Sequence, residues 1–251
     1  MKPWEESARR MRIAGFALIA AVLTAGVSCA HLEGDPDPSD PWERMNRGTF
    51  KFNEGADRWV VEPIAKGMDF LIPDPAERSI RKLFENSMIP IHFTNALLQF
   101  KPVAAFEDLA RFVINTTIGI AGFFDPAAHF GLEAHHEDFG QTFGYWGIPS
   151  GPYLVLPVFG PSNPRETVGL IADSAALVYP WFVPIYVSSA VGVGRALNRR
   201  SLALDTIATE REVALDYYVA VRNAFLSYRE NQIRDRDEDE EADDDELYYL
   251  D

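Results

Sequence analysis

The chain has 251 residues, of which 47% are hydrophobic and 12% aromatic, which is enough apolar material for a buried core. Its formal net charge of −15 argues against nucleic acid as a partner, because binding to a phosphate backbone requires clustered Lys and Arg. The single cysteine excludes an intramolecular disulfide.

The N-terminus has the layout of a bacterial lipoprotein signal. Three arginines precede the apolar stretch from Ile13 to Ser28, which is too short to cross a bilayer comfortably and suits a secretory signal. Cys29 follows directly, and Ala30 after it is consistent with delivery to the outer membrane. We therefore predict a signal peptide at residues 1–28, a covalent lipid on Cys29 and no other cofactor. The alternative is an ordinary signal peptide with an unmodified cysteine.

The rest of the chain is predicted to be mostly helical. Residues 29–39 are predicted to be a lipidated polar tether, and residues 40–232 are predicted to form one helical, membrane-embedded domain. Apolar residues recur at helical spacing in six stretches, at residues 40–72 (two helices), 73–87, 89–100, 101–118, 165–179 and 195–232. The last of these is predicted as one long polar helix. The best strand candidate is the stretch from Pro152 to Phe159, where prolines limit its length.

The segment from Asp138 to Glu166 is apolar and yet rich in Gly and Pro. No stretch after Cys29 reaches 18 apolar residues without a Gly or Pro break, so no membrane-spanning helix is predicted. Irregular backbone is tolerated at membrane depth only where protein buries it or where it lines a wet cavity. The stretches Ile118–Phe124 and Gly144–Phe159 are therefore predicted to form the wall of a channel. A buried loop in a soluble domain is the alternative.

Several long motifs identify a family resemblance. In chain order they are "DPWERMNR" from Asp40, "RFVINTTIGIAGFFDPA" from Arg111, "EDFGQTFGYWG" from Glu137 and "GPYLVLPVFGPSNPR" from Gly151. They resemble the MlaA (VacJ) family of outer-membrane lipoproteins, from Asp40 to about Asp173. The sequence departs from the family pattern at Ile89, where Glu is common, and at Phe100, where Gly is common. The region after Tyr179 matches only loosely.

The resemblance implies a fold and a function. It implies a ring-like arrangement of short amphipathic helices around a central pore, embedded in the outer membrane and anchored on its periplasmic side. It implies association with porin trimers and transfer of outer-leaflet phospholipids to a periplasmic lipid-binding protein of the Mla pathway. A structural lipoprotein without transport activity is the rival hypothesis.

Eight residues are predicted to lie along the lipid path or to line the pore. Phe50, Phe52 and Asn53 match an early family stretch that helps to gate the pore, although core packing is equally consistent with both phenylalanines. The polar candidates have an alternative as helix caps or as partners of buried amides. Asp40, Trp42, Asn46 and Arg47 are expected to hold the fold together. The full set of path residues is Phe50, Phe52, Asn53, Asn115, Gln141, Tyr145, Trp146 and Tyr153.

Catalysis and metal binding are not predicted. His135 and His136 are adjacent, so their side chains point in different directions, and the sequence shows no second ligand cluster that would complete a metal site. Glu137 and Asp138 are expected to cap a turn beside Phe139. The sequence lacks a nucleophile elbow and a nucleotide-binding fingerprint, so we predict neither catalytic residues nor an energy source within the chain.

The C-terminus is strongly acidic. Residues 235–251 hold 11 acidic residues and one basic residue. A block of like charges is typical of disorder. Residues 233–251 are therefore predicted to form a disordered acidic tail, and the sequence does not assign it a partner.

Overall fold

The computed structural model describes residues 37–177 and 185–234. The predicted signal peptide, Cys29 and almost all of the acidic tail lie outside these residues. The mostly helical fold class is confirmed. The described helices are α1 Glu43–Ala56, a π-helical turn Asp57–Val61, α2 Glu62–Leu71, α3 Asp74–Leu98, α4 Pro102–Thr117, α5 Pro126–His129, α6 Phe139–Tyr145, α7 Pro164–Ala176, α8 Ile185–Leu202, α9 Leu204–Val213 and α10 Tyr217–Arg234.

Two predicted helix breaks are bridged in the structure. The π-helical turn joins α1 to α2, so Pro63 lies in the first turn of a helix, where its missing N–H costs little. Pro90 lies inside α3, which runs for 25 residues through both stretches predicted as separate helices. Ile89 and Ile91 beside it are buried, so packing of the helix against its neighbours outweighs the hydrogen bond that a proline removes.

The single long C-terminal helix predicted over 195–232 is wrong. Ala203 separates α8 from α9, and Ala214 has an extended backbone that separates α9 from α10. The breaks bring charged side chains back to the N-terminal helices. Arg211 binds Glu54 and Asp57, with distances of 2.9 and 2.8 Å from its Nη2. These long-range ion pairs follow no sequence periodicity.

One short hairpin interrupts the helices. β1 (Leu154–Leu156) pairs antiparallel with β2 (Gly160–Ser162), with Val155 opposite Pro161. The strand therefore lies inside the stretch predicted from Pro152 to Phe159. Its open edge is covered by α1, whose Asn46 and Asn53 are seven residues apart and so face the same way.

The two asparagines act as a substitute for a third strand. Asn46 Oδ1 accepts a hydrogen bond from Val155 N (2.9 Å), and its Nδ2 donates to the carbonyl of Tyr153 (3.0 Å). Asn53 Nδ2 donates to the carbonyl of Leu156 (2.9 Å), and its Oδ1 accepts from Val158 N (2.8 Å). Each side-chain amide thus satisfies one donor and one acceptor that the hairpin edge leaves open.

Polar groups are buried and large apolar groups are exposed to an unusual degree. Among the described residues, buried polar side chains outnumber buried apolar ones. Large apolar side chains are exposed on α2, α4 and the segment that follows α4, including Phe70, Leu71, Val103, Phe106 and Ile118. An exposed apolar surface of this extent marks a protein or membrane interaction site. No described helix has the length and hydropathy needed to cross a membrane.

Phe100, at a position where glycine is common in the family, has a backbone conformation that is unfavourable for a residue with a side chain. It follows α3 with φ of +59°, in the left-handed region that favours glycine. Its side chain is exposed. A residue with a Cβ loses about 1–2 kcal/mol there, and the greater flexibility of glycine in the unfolded chain offsets part of that difference.

Phe100→Gly is therefore expected to raise the free energy of unfolding by about 1 kcal/mol. Denaturant unfolding in detergent micelles measures the change. Phe130→Gly is the matched control, because Phe130 is also exposed beside a helix end but has φ of −90°. A control variant stabilised as much as Phe100→Gly would show that backbone strain is not the cause.

Candidate functional site

A cavity of about 690 Å³ lies between α3, α7, α8 and α10. One part of its wall is apolar, and another part is charged. The apolar groups include Phe84, Met88, Ile91, Leu170, Leu177 and Leu202. The charged groups include Arg81, Asp138, Asp173, Arg199 and Arg229. Such a cavity offers surfaces to both an apolar chain and a charged group.

Helical periodicity explains how α3 contributes to this wall. Arg81, Phe84, Met88 and His92 are spaced by three or four residues and therefore share one helix face. Ile91 lies at the same wall and is buried. The face carries a cation at one end and an imidazole at the other, with apolar groups between them.

An ion cluster fixes three helices around the cavity. Arg229 of α10 donates two hydrogen bonds to Asp138, at 2.8 and 2.9 Å, and also binds Glu166 of α7. Asp138 in turn caps α6, because its Oδ1 accepts from Gln141 N at 2.8 Å. The capping turn expected at Asp138 is therefore confirmed. One buried guanidinium links α10, the start of α6 and α7.

Two glycines let this cluster form. A Cβ on Gly140 would lie 2.1 Å from Glu166 Oε2 and 2.7 Å from Arg229 Nη2. A Cβ on Gly169 would lie 2.5 Å from the backbone nitrogen of Gly140. The backbones of α6 and α7 thus approach too closely for any side chain, and the ion pair lies directly over the contact.

Burial shifts several ionisation equilibria at the cavity. Burial and the neighbouring charge of Asp138 raise the pKa of Asp173 to about 7. Burial lowers the pKa of His92 to about 4, and it also lowers the pKa of His136. Burial opposes the ionisation of Asp138, but the hydrogen bonds from Arg229 prevail and lower its pKa. Burial therefore favours the neutral form of both histidines and of Asp173.

A smaller cavity of about 200 Å³ adjoins the first, and most of the residues in its wall have polar side chains. The two cavities share Arg81, Glu85, His92 and His136 in their walls. The groups found only in the smaller one include Asn86, Asp108, Arg111, Asn115, Asp125 and His135. One group with metal-ligating atoms lies beside it within the described residues, consisting of Glu107, Glu133 and His135.

The predicted path residues of α1 divide between core and surface. Phe50 packs against Tyr217 and Tyr218, with ring centroids 5.7 and 5.4 Å away. Phe52 is exposed. Asn53 binds the hairpin, as described above. None of the three lines the larger cavity.

The other polar candidates hold backbone in place. Asn115 Nδ2 donates to Asp125 Oδ1 at 2.8 Å, and its Oδ1 accepts from Ala127 N at 3.1 Å. Gln141 is buried and donates to the carbonyl of His136 at 2.7 Å. Asn115 lines the smaller cavity, whereas Gln141 lines neither.

The aromatic candidates have different environments. Tyr145 and Trp146 are exposed, and Trp146 Nε1 donates to the carbonyl of Leu98 at 3.1 Å. Tyr153 has no exposed surface and packs in a core cluster with Tyr218 and Phe225, so it presents no surface to a lipid path.

Sequence reasoning missed the residues that line the larger cavity. The stripe on α3 from Arg81 to His92 was visible as a helical face. The contributions of α8 and α10, such as Arg199 and Arg229, come from the region where the family likeness is loose. Their convergence depends on helix breaks that the periodicity did not reveal.

The chain is similar in sequence to known proteins over most of its length. A family model described as MlaA lipoprotein matches residues 38–232. An intermembrane phospholipid transport system lipoprotein MlaA from Haemophilus influenzae is 33% identical over 228 residues, covering 87% of this chain and 89% of that protein. The protein of the same name from Escherichia coli is 30% identical over 223 residues, covering 86% of each.

A solved structure is also similar. It comes from work on the structural basis for maintenance of bacterial outer membrane lipid asymmetry, and its TM-score is 0.69 at 29% sequence identity. The match covers 78% of this chain and 99% of that one. From the family match and the long alignments together, this chain belongs to the MlaA lipoprotein family.

Proposed function

We propose that this protein removes phospholipids from the outer leaflet of the outer membrane through its larger cavity and passes them to a periplasmic carrier. Its relatives are named for intermembrane phospholipid transport. The observation that carries the proposal is the amphipathic cavity inside a protein whose outer surface is rich in exposed apolar side chains. Such a surface suits a position within lipid.

The cavity lowers the barrier that limits lipid movement. Moving a charged headgroup through hydrocarbon is the costly step, because charge is poorly solvated there. Arg81 and Arg199 provide cationic groups for a phosphate, while Phe84, Leu170 and Leu202 provide apolar surface for acyl chains. The direction of transfer then follows from the tighter binding of lipid by the downstream carrier.

We also propose where the protein acts and which partners it binds. Lipidation of Cys29 would anchor the chain on the periplasmic side of the outer membrane. Porin trimers and a periplasmic lipid-binding protein of the Mla pathway are the proposed partners. We propose that the protein moves lipids without hydrolysing them, and that it is not an enzyme.

Deletion of the gene tests the function. We expect phospholipid to accumulate in the outer leaflet, which an impermeant amine-reactive label on intact cells measures, and we expect sensitivity to detergent. Complementation with the wild-type gene should reverse both. A normal outer leaflet in the deletion strain would favour the structural scaffold, and lysophospholipid released by the purified protein would favour an enzyme.

Blocking the cavity is expected to stop transport. Ser174 lines it, and its hydroxyl donates to the carbonyl of Leu170 at 2.7 Å. Ser174→Cys introduces a thiol of similar size. After labelling with a bulky thiol reagent, we expect lipid transfer to fall at least about tenfold, because the adduct fills space that a lipid needs; a rate change of this size equals about 1.4 kcal/mol.

Ser79→Cys is the matched control for this experiment. Ser79 lies on α3 outside both cavities and makes the same type of bond, to the carbonyl of Pro75 at 3.0 Å. Fluorescent-lipid transfer from vesicles to the periplasmic acceptor measures both variants. Full labelling of Ser174→Cys without loss of transfer would contradict the route through this cavity.

Removal of the lipid-bearing residue tests the anchor. Cys29→Ala is expected to leave the signal uncleaved at that site and to remove the acyl chains, each of which contributes about 0.8 kcal/mol per buried CH₂. Metabolic labelling with a radioactive fatty acid should disappear completely. Unchanged acylation would show that Cys29 is not the attachment site.

A further inference from the structure

Three side chains with metal-ligating atoms converge beside the smaller cavity. Glu107 lies on α4, and Glu133 and His135 lie in the irregular segment before α6. One ligand atom from each residue lies within 4.8 Å of the other two. His135 Nε2 is 3.5 Å from Glu107 Oε2. Two ligands of a tetrahedral zinc ion, with bonds of about 2.0–2.1 Å, are about 3.4 Å apart, so the spacing fits one ion between them.

The second nitrogen of the imidazole faces a buried carboxylate. His135 Nδ1 is 3.5 Å from Asp108 Oδ1, and Asp108 is only 1% exposed. Neither His135 Nδ1 nor Asp108 Oδ2 has a hydrogen-bond partner among the described residues. In metal sites, a carboxylate behind a ligating histidine receives the hydrogen of its second nitrogen and so fixes the tautomer.

A simple ion pair explains these positions less well. It would require a protonated imidazole with hydrogen bonds to both carboxylates, yet both distances exceed the usual 2.7–3.2 Å. A cation between His135 Nε2 and Glu107 explains the wider spacing on that side. It also makes Nδ1 a hydrogen-bond donor aimed at the buried Asp108.

We propose that Glu107, Glu133 and His135 bind one zinc ion, with Asp108 as the positioning residue. The imidazole favours zinc over magnesium and calcium, which prefer oxygen ligands alone. Three protein ligands leave a fourth position for water. The ion would fasten the irregular segment to α4, beside the contact in which Arg111 Nη1 donates to the carbonyl of Leu132 at 2.7 Å. The proposal is independent of lipid transport.

Metal titration of the full chain in detergent micelles tests the site. After treatment with a chelator, the protein is titrated with ZnCl₂ by calorimetry and with CoCl₂ by visible absorption. Excess MgCl₂ is added so that magnesium competes with zinc for weak binding to the acidic C-terminal residues. We expect one saturable site per chain. His135→Gln should weaken zinc binding at least about 100-fold, and Asp108→Asn should weaken it about 10–100-fold through the imidazole.

Two further variants separate loss of the zinc site from a general effect on the protein. His129→Gln is the matched control, because His129 is exposed on α5 outside the cluster and should bind zinc as the wild type does. Glu133→Gln changes an exposed side chain and should weaken binding at least about tenfold even if a more buried variant fails to fold. Absence of saturable zinc binding, or equal affinity in the wild type, His135→Gln and Glu133→Gln, would overturn the proposal.

Discussion

Arg229→Met is expected to lower the free energy of unfolding by about 3–5 kcal/mol, because removing one partner of a buried ion cluster leaves uncompensated charge. Arg229 is 9% exposed and binds both Asp138 and Glu166. Methionine replaces the packing of the side chain without its charge. The two carboxylates would then repel each other directly over the contact between Gly140 and Gly169, where α6 and α7 cannot move closer.

Denaturant unfolding monitored by circular dichroism in micelles measures the loss. Arg234→Met is the matched control on the same helix, since Arg234 is exposed and its ion pair among residues 185–234 is with Glu230 of its own helix. That variant should lose less than about 1 kcal/mol. Arg229→Lys retains the charge without the two-pronged geometry, so its loss should be intermediate. Equal losses at positions 229 and 234 would contradict the assigned importance of the cluster.

Asn46→Leu is expected to lower the free energy of unfolding by about 3 kcal/mol, since it removes three hydrogen bonds and leaves buried groups without partners. Its amide binds Tyr153 O and Val155 N of the hairpin, and its Nδ2 also donates to Asp40 Oδ1 at 2.7 Å. Leucine has a similar size but satisfies none of these groups. Asp40, which is fully buried, would lose one of its partners.

Asn53→Leu is the comparison for this prediction. Asn53 makes the equivalent pair of bonds two helical turns further on, but the site is partly exposed, so water can replace them. We expect a loss of about 1 kcal/mol there. Both variants should be measured by the same unfolding assay. A loss at Asn53 as large as that at Asn46 would show that burial does not control the cost.

The sequence predicted those parts of the fold that local chemistry determines. Asp138 was expected to cap a turn beside Phe139, and in the structure it caps the helix that begins there, a helix that the sequence did not predict. The expectation that Asp40 and Asn46 hold the fold together agrees with their burial and mutual hydrogen bond. The long motifs that indicated the family include Gly140, where a Cβ would overlap with the side chain of Glu166.

Features that depend on contacts distant in sequence were not predictable. Residues 73–87 and 89–100 were predicted as separate helices, and the burial of Ile89 and Ile91 explains why α3 continues through both. Tyr153 was predicted to lie along the lipid path, yet it is buried against Tyr218 from the other end of the domain. Glu107 and His135 are separated by the rest of α4, by α5 and by irregular chain. Their positions in the sequence therefore gave no indication that they lie close together.

The hydrogen bonds of Asp40 have a consequence for how the chain matures. Asp40 binds Tyr218, 178 residues later, and Arg222, 182 residues later. Closure of so long a loop is slow, and it is impossible while the ribosome still holds the distal partner. Before synthesis has reached Tyr218, Asp40 can therefore keep its hydrogen bond with Asn46 but lacks both distal partners. A nascent chain stalled before that point would lack these two contacts and would be a target for proteases or chaperones.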